Sequence, residues 1–245
     1  MKIQLNIEKV LFQIKYKPDL SFYDRLYSKD KIFSQFPHWQ TDRLKVSLRD
    51  YEKKHSLTLK HDSITYETDK YVRKNEDEII TLISESIDEI TSTDKISRFG
   101  HRFFCLAPTD MNFNDLVTIL NLKLFKRDFF GPLFNEPDDS TVTVTSSYKE
   151  LKYRLQVGPM KNFEVPNFIK YNIENHIDPG SIKKYSELSN LVENYPETSL
   201  FFDIDFFYLE PIKSPDILKF YKDTRDAYAL ISKELLKYIF EDRIK

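Results

Sequence analysis

The amino-acid sequence predicts an α+β protein built on a curved antiparallel sheet with helices packed on one face. Short apolar segments alternate with period two, which is typical of half-buried strands. Longer segments with apolar residues at helical spacing separate these strands. The order of the elements also recurs, because residues 10–92 follow the pattern β-α-β-β-β-α and residues 96–240 follow β-α-β-β-(β)-β-α.

The recurring order predicts an internal duplication. We expect residues 1–245 to form a single domain made of two similar halves, about 1–93 and 94–245, each with the order β-α-β(3-4)-α. The two halves share one sheet in this interpretation. Sheets arranged in this way occur in TATA-binding-protein-like and helix-grip-like folds, and such folds do not by themselves indicate a function.

The first half opens with a strand whose alternation changes phase. Apolar residues occupy odd positions from Ile3 to Ile7 and even positions from Val10 to Tyr16. The change at Glu8-Lys9 predicts a bulge or turn, because a one-residue slip moves side chains to the opposite face of a sheet. Further elements are expected as a helix over 21–36, short strands at Leu44–Leu48, Leu57–Leu59 and Ile64–Tyr66, and a helix over Asn75–Ile90.

The second half repeats this order with longer strands. Strands are expected at Ile96–Leu106, Val142–Val144, Leu151–Val157 and Leu200–Leu209, with one more at Phe168–Ile173. Helices are expected over Phe113–Phe125, Ser181–Asn194 and Pro215–Phe240. A stripe at alternating spacings of four and three predicts the core face of the last helix: Ile217, Tyr221, Thr224, Tyr228, Ile231, Leu235 and Tyr238.

Composition narrows the classes of partner. The 37 Lys and Arg residues are balanced by 39 Asp and Glu residues, whereas proteins that bind nucleic-acid phosphates usually carry a basic excess. The single cysteine, Cys105, excludes an internal disulfide and a cysteine-rich zinc site. Residues 1–16 lack the apolar core of a signal peptide, and no apolar run approaches the roughly 18 residues that span a bilayer. We therefore expect a soluble cytoplasmic protein without a membrane partner and without a cofactor.

Three segments together are similar to a sporadically distributed family of prokaryotic proteins of about this length and of unknown function. They are the opening strand and proline of Val10–Pro18, the Arg-x-Gly-x-Arg-aromatic strand of Arg98–Phe103, and the Asp-x-Asp strand of Asp203–Asp205 before a long helix. The family's opening strand often carries an acid where this chain has Gln13, so no role for that acid is carried over. The resemblance implies a prokaryotic source and the architecture above, and it supplies no chemistry.

Two arginines and two aspartates form the candidate ligand site. Arg98 and Arg102 share one face of a strand, and Asp203 and Asp205 share one face of a strongly apolar strand. Carboxylates in such a strand are costly to bury unpaired, and arginine can bind a carboxylate with two hydrogen bonds. We expect these residues to form an ion-pair network. The alternatives are the floor of a polar ligand pocket and a metal site at Asp203 and Asp205, for which no further ligand lies nearby in sequence.

A phenylalanine-rich loop is the candidate partner site. It lies between a predicted helix and a predicted strand and carries Phe125, Phe129, Phe130 and Phe134. These side chains either fold back over the core or form an exposed apolar patch that contacts another protein or a second copy of the chain. Catalytic residues are not indicated, because the four glycines are too far apart for a phosphate-binding or nucleophile motif.

Three functions are consistent with these features. We favour a non-catalytic binding or regulatory protein that contacts another protein, or itself as a homodimer, because aromatic residues are abundant and no catalytic constellation is complete. One alternative is a receptor or enzyme for a small ligand or nucleotide that uses the Arg/Asp cluster. Another is nucleic-acid binding on the concave face of the sheet, which requires Lys and Arg to gather there.

Overall fold

The computed structural model of the protein describes residues 3–19, 21–22, 24, 30–69, 81–85, 96–125, 138–169, 192–208 and 217–241. The strands within these ranges are β1 (Asn6–Tyr16), β2 (His38–Thr41), β3 (Lys45–Asp50), β4 (His55–Lys60), β5 (Ser63–Asp69), β6 (Ile96–Pro108), β7 (Val142–Tyr148), β8 (Leu151–Lys161) and β9 (Thr198–Tyr208). The α-helices are α1 (Asp30–Phe33), α2 (Phe113–Leu124), α3 (Val165–Phe168) and α4 (Ile217–Phe240). The expected mixed α+β composition is therefore confirmed.

The nine described strands form one open antiparallel sheet. Their order is β2-β3-β4-β5-β1-β6-β9-β8-β7, and every neighbouring pair is antiparallel. The long strands β1 and β6 pair at the centre. From β1 the strands run outward as β5, β4, β3 and β2, and from β6 they run outward as β9, β8 and β7.

One face of the sheet, called the helix face below, carries the main hydrophobic core. The long helix α4 lies on it, with the ring of Tyr221 stacked on His101 at a centroid distance of 4.9 Å and that of Tyr228 on Phe103 at 4.5 Å. Buried residues of α1, of the helical residues 81–85 and of α2 belong to the same core. The predicted stripe of α4 faces this core except at its end, where Tyr238 is 51% exposed and donates its hydroxyl to the Lys123 carbonyl at 2.9 Å.

The opposite face, called the open face, carries a second and smaller core at one end. Phe168 of α3 lies over the rings of Phe104 and Phe201 at centroid distances of 5.5 and 5.1 Å. The strand expected from Phe168 is therefore wrong: Pro166 lies in the first turn of α3, where its fixed φ favours a helix. Residues 170–173 lie outside the described residues. Helix α3 is also an exception to the expectation that all helices pack on one face.

The phase change in β1 is a bulge, as the sequence predicts. Ile7 pairs with Cys105 and Lys9 pairs with the next residue, Phe104, so that Glu8 is the extra residue. The carboxylate of Glu8 accepts a hydrogen bond from the Tyr195 hydroxyl at 2.9 Å. The bulge therefore allows the residues before it and the residues after it both to bury their apolar side chains on the helix face.

The edge strand β2 was not predicted. All four of its residues are exposed, so it has no buried side to produce an alternating pattern. It is held by main-chain pairing with β3, in which His38 lies opposite Arg49 and Thr41 opposite Val46. None of the described helices combines the length and apolar character needed to cross a membrane.

Candidate functional site

Pairing of β6 with β9 brings the four predicted charged residues together on the open face. Arg102 lies directly opposite Asp205 in the register, and Gly100 lies opposite Phe207. The ion pairs nevertheless run diagonally, from Arg102 to Asp203 and from Arg98 to Asp205. Asp203 is the diagonal neighbour of Arg102, two residues along β9 from the directly paired Asp205, whereas Arg98 reaches Asp205 across the row of Gly100 and Phe207. The expected ion-pair network is therefore present.

Arg102 and Asp203 form a two-pronged ion pair. The Arg102 Nε donates to Asp203 Oδ1 at 2.6 Å, and its Nη2 donates to Asp203 Oδ2. The Arg102 guanidinium also lies over the ring of Phe104, with its carbon 4.6 Å from the ring centroid. The hydrogen bonds to Asp203 raise the pKa of the Arg102 guanidinium above its ordinary value. Both oxygens of the Asp203 carboxylate are thus engaged by one arginine.

Arg98 links the second aspartate to the central strand β1. Its Nη2 donates to Asp205 Oδ2 at 2.8 Å, and its Nη1 donates to the Gln13 side-chain oxygen at 3.2 Å. Gln13 in turn donates to the Thr65 hydroxyl at 3.3 Å. A chain of side-chain hydrogen bonds therefore crosses β9, β6, β1 and β5 on the open face. Gln13 therefore links Arg98 to β5, because it accepts a hydrogen bond from Arg98 and donates one to Thr65.

Burial and the two arginines act in opposite directions on Asp205. Burial raises the pKa of the Asp205 carboxyl and outweighs Arg98 and Arg102, which lower it. The side chains of Arg98 and Asp205 are 22% and 23% exposed, so this part of the network is in contact with solvent. Because a nearby cation favours the charged form of a carboxyl, loss of Arg98 or Arg102 should raise this pKa further.

Gly100 leaves the space in which the Arg98 side chain lies as it reaches Asp205. A β-carbon built on Gly100 would lie 2.8 Å from Arg98 Nη1, so the guanidinium occupies the space left by the missing side chain. The nearest atom belongs to a flexible side chain, so the fold can accommodate a substitution if Arg98 moves away. Glycine at this position therefore serves the ion pair and not a backbone conformation, because Gly100 does not have a positive φ.

Replacing Gly100 by alanine tests this arrangement. We expect the free energy of unfolding to change by less than about 1 kcal/mol, because the loss of a partly exposed ion pair is offset by the better strand propensity of alanine. The pKa of Asp205 is expected to rise, as followed by NMR of the carboxyl carbon. Arg98→Met is the matched control and should raise the same pKa; an unchanged pKa in Gly100→Ala would show that Arg98 does not need the gap.

A row of basic residues crosses the open face at one end of the sheet. Strand pairing aligns four basic residues across five neighbouring strands, with Ser63 of β5 between the second and the third: Lys45, Lys60, Lys15 and Arg98. The three lysines are exposed, and Lys45 lies directly opposite Lys60. Like charges directly opposite each other destabilise a sheet, so the row carries a cost in stability. The sequence did not reveal it, because residues far apart in an overall balanced chain meet only through pairing.

The buried His101 and Cys105 do not contribute to the open face. Both lie on the helix face of β6, where the Cys105 thiol donates to the Tyr228 hydroxyl at 3.5 Å. Burial raises the pKa of the Cys105 thiol, so the nucleophilic thiolate is disfavoured. Among the described residues, no group of three or more His, Cys, Asp or Glu side chains is placed to hold a metal ion.

The predicted partner loop is described at its first residue alone. Phe125 ends α2, and its backbone N–H donates to the Asn121 carbonyl at 3.2 Å. Its side chain is half-buried. Phe129, Phe130 and Phe134 lie outside the described residues, so the proposed role of the loop stays a prediction.

The described residues also line a cavity away from the charged cluster. It has a volume of about 680 Å³ and is lined by residues that include Glu8, Leu106, Pro108 and Tyr195. None of the four cluster residues lines it. A pocket bordered by the cluster would favour a ligand site there, and this cavity does not supply one. No protein-family model matches the chain, and no curated protein matches it.

Proposed function

We propose that the protein is a non-catalytic binding protein that acts through protein–protein contacts along its sheet. The observation that carries the proposal is the exposed edge of the open sheet at β7, where residues 143–147 are all exposed and where, among the described residues, only β8 pairs with the strand. An exposed strand edge can add a strand from another chain by main-chain hydrogen bonds. No charged group in the strand opposes such pairing.

The chemistry of the charged cluster supports this proposal. Asp203 has both oxygens bound to Arg102, and Asp205 and Gln13 both accept hydrogen bonds from Arg98. The groups that could have acted as a base or as anion receptors thus bind one another. The cluster is better suited to fixing the register of β6 and β9 than to turning over a substrate.

The order of the strands supports an internal duplication, which we include in the proposal. In each half the first strand is central, the last strand of the half lies beside it, and the remaining strands run outward. The first half has one strand more, β2, at its outer edge. On this interpretation the molecule is a pair of β-α-β(3-4)-α units of the TATA-binding-protein-like or helix-grip-like kind, with β1 and β6 as equivalent central strands.

The basic row supports a second candidate function, the binding of a polyanion such as nucleic acid on the open face. Lys45, Lys60 and Lys15 are exposed and lie on one side of the sheet, where phosphate groups could offset the repulsion between them. An exposed acid at the same end opposes this function, because Asp42 Oδ2 lies 4.0 Å from Lys45 Nζ. We therefore rank it below protein binding.

Native mass spectrometry of the protein, purified gently from its own host in cytosolic salt, tests the proposed function. We expect a stoichiometric protein assembly, with either a second copy or another protein, and no bound small molecule. A co-purifying metabolite or nucleotide would contradict the proposal and favour a receptor or enzyme. A co-purifying nucleic acid, released by added salt, would favour the second candidate.

A further inference from the structure

The strand β7 combines exposure with a complete lack of charge. Its seven residues, Val142–Tyr148, include no charged residue, no proline and no glycine, and most have high strand propensity. Residues 143–147 are exposed although β8 covers one edge of the strand. Within the described part of the chain no strand pairs with the other edge, which leaves its backbone N–H and C=O groups available to another strand.

The opposite end of the sheet is protected in a way that β7 is not. The edge strand β2 has only four residues and follows Pro37, whereas β7 has seven residues. Short length and proline are among the means by which proteins block edge-to-edge pairing. The two ends of the same sheet thus differ in their capacity to add a strand.

We propose that β7 pairs antiparallel with β7 of a second copy of this chain, which joins two sheets into one. This inference rests on the proposed function and names its surface and partner. A two-fold axis at Thr145 aligns all seven residues, with Val142 opposite Tyr148 and Thr143 opposite Ser147. Paired residues then lie on the same face, the hydroxyl groups of Thr143, Thr145 and Ser147 meet one another on one of the faces, and no like charges are opposed.

Such a dimer is closed and reversible. Each copy uses its β7 edge in the pair, and the free ends of the joined sheet are the two protected β2 strands, so further addition is blocked. A single strand pair buries less than the roughly 1,600 Å² of a standard stable interface. We therefore expect self-association that depends on protein concentration in the micromolar range.

Charge placed at the two-fold axis tests the pairing. Thr145 is exposed and lies opposite Arg154 of β8, so Thr145→Glu is compatible with the fold of one copy. Across the axis it would oppose a second glutamate, and Thr145→Lys would oppose a second lysine. Because the lysine also faces Arg154 within its own copy, the fold of Thr145→Lys has to be verified before its dimerisation is compared. By sedimentation equilibrium we expect each variant alone to dimerise at least about tenfold more weakly than wild type, and a one-to-one mixture to regain dimer formation.

Gln40→Glu is the matched control, because it adds the same charge beside an arginine on the other edge strand, and it should leave the dimer unchanged. Circular dichroism of every variant establishes that the fold is kept. A wild-type monomer at all concentrations, or a dimer indifferent to Thr145→Glu, overturns the inference. If a stoichiometric assembly with a different protein accompanies a wild-type monomer, the proposed function stands and self-pairing through β7 fails.

Discussion

Arg102→Met is expected to lower the free energy of unfolding by about 2–3 kcal/mol, whereas Arg102→Met combined with Asp203→Leu should recover most of that loss. The single change leaves the Asp203 carboxylate, only 10% exposed, without the guanidinium that binds both of its oxygens. The double change replaces the pair by apolar side chains that can pack beside Phe104. Urea denaturation of the two single variants and the double variant measures the coupling.

The expected loss is smaller than for a fully buried pair because 29% of the Arg102 side chain is exposed. Lys219→Met is the matched control: it removes the pair with Asp223 on the exposed surface of α4 and should change the stability far less. If Arg102→Met is as stable as wild type, the pair does not hold β6 to β9. A double variant no better than either single variant would also count against the structural role.

The buried His101 is expected to make the protein sensitive to acid. Its Nδ1 lies 2.7 Å from the Thr224 hydroxyl oxygen, and that hydroxyl donates its own proton to the Tyr221 carbonyl. The hydroxyl oxygen is thus an acceptor, so Nδ1 carries the ring proton and donates it. The Nε2 atom is buried without a hydrogen-bond partner, and burial lowers the pKa of His101 to about 3.

The direction of the pH effect follows from proton binding. Between pH 6.5 and about 3 the unfolded chain binds a proton at His101 that the folded protein does not bind, so stability falls as the pH falls through this window. The slope from this residue approaches about 1.4 kcal/mol per pH unit. Asp69 acts in the opposite direction, because burial raises its pKa to about 6 and the folded protein then binds the extra proton.

His101→Phe isolates the histidine from this background. In the variant the Thr224 hydroxyl can still donate to the Tyr221 carbonyl, and the phenylalanine ring takes the place of the imidazole between Phe12 and Tyr221. The measured quantity is the free energy of unfolding of the variant minus that of wild type. We expect this difference to be about 2 kcal/mol more positive at pH 5 than at pH 8. Phe103→Leu, a core change without a titrating group, should lower stability equally at both pH values. An identical pH dependence in His101→Phe and wild type would contradict the prediction.

The parts of the fold that bury one face of a strand could be predicted from the sequence. The alternation in β1, its change of phase at Glu8 and the apolar length of β9 all result from contact with one core, and the structure confirms each of them. β2 has no buried face, and α3 is too short for a helical period, so neither left a pattern. The segment that begins at Phe168 was expected to be a strand, because so short an apolar segment fits either a strand or a helix.

The membership of the charged cluster was predictable, but its connections were not. Charged residues in apolar strands need partners, and this rule identified the four members of the cluster, Arg98, Arg102, Asp203 and Asp205. Which arginine binds which aspartate depends on the register of β6 with β9, and the involvement of Gln13 depends on the register of β1 with β6. Register arises from contacts between distant segments, and the basic row was not predicted for the same reason.

The antiparallel pairing at the centre of the sheet determines how late in synthesis the sheet can finish folding. Phe12 pairs with His101, and Phe103 pairs with Ile204, so each central contact waits for a segment made much later. The chain leaves the ribosome from its N-terminus, and α4, which covers Phe103, follows all nine described strands. Until residues 217–240 emerge, the apolar middle of the sheet in a nascent chain therefore lacks the cover that α4 provides.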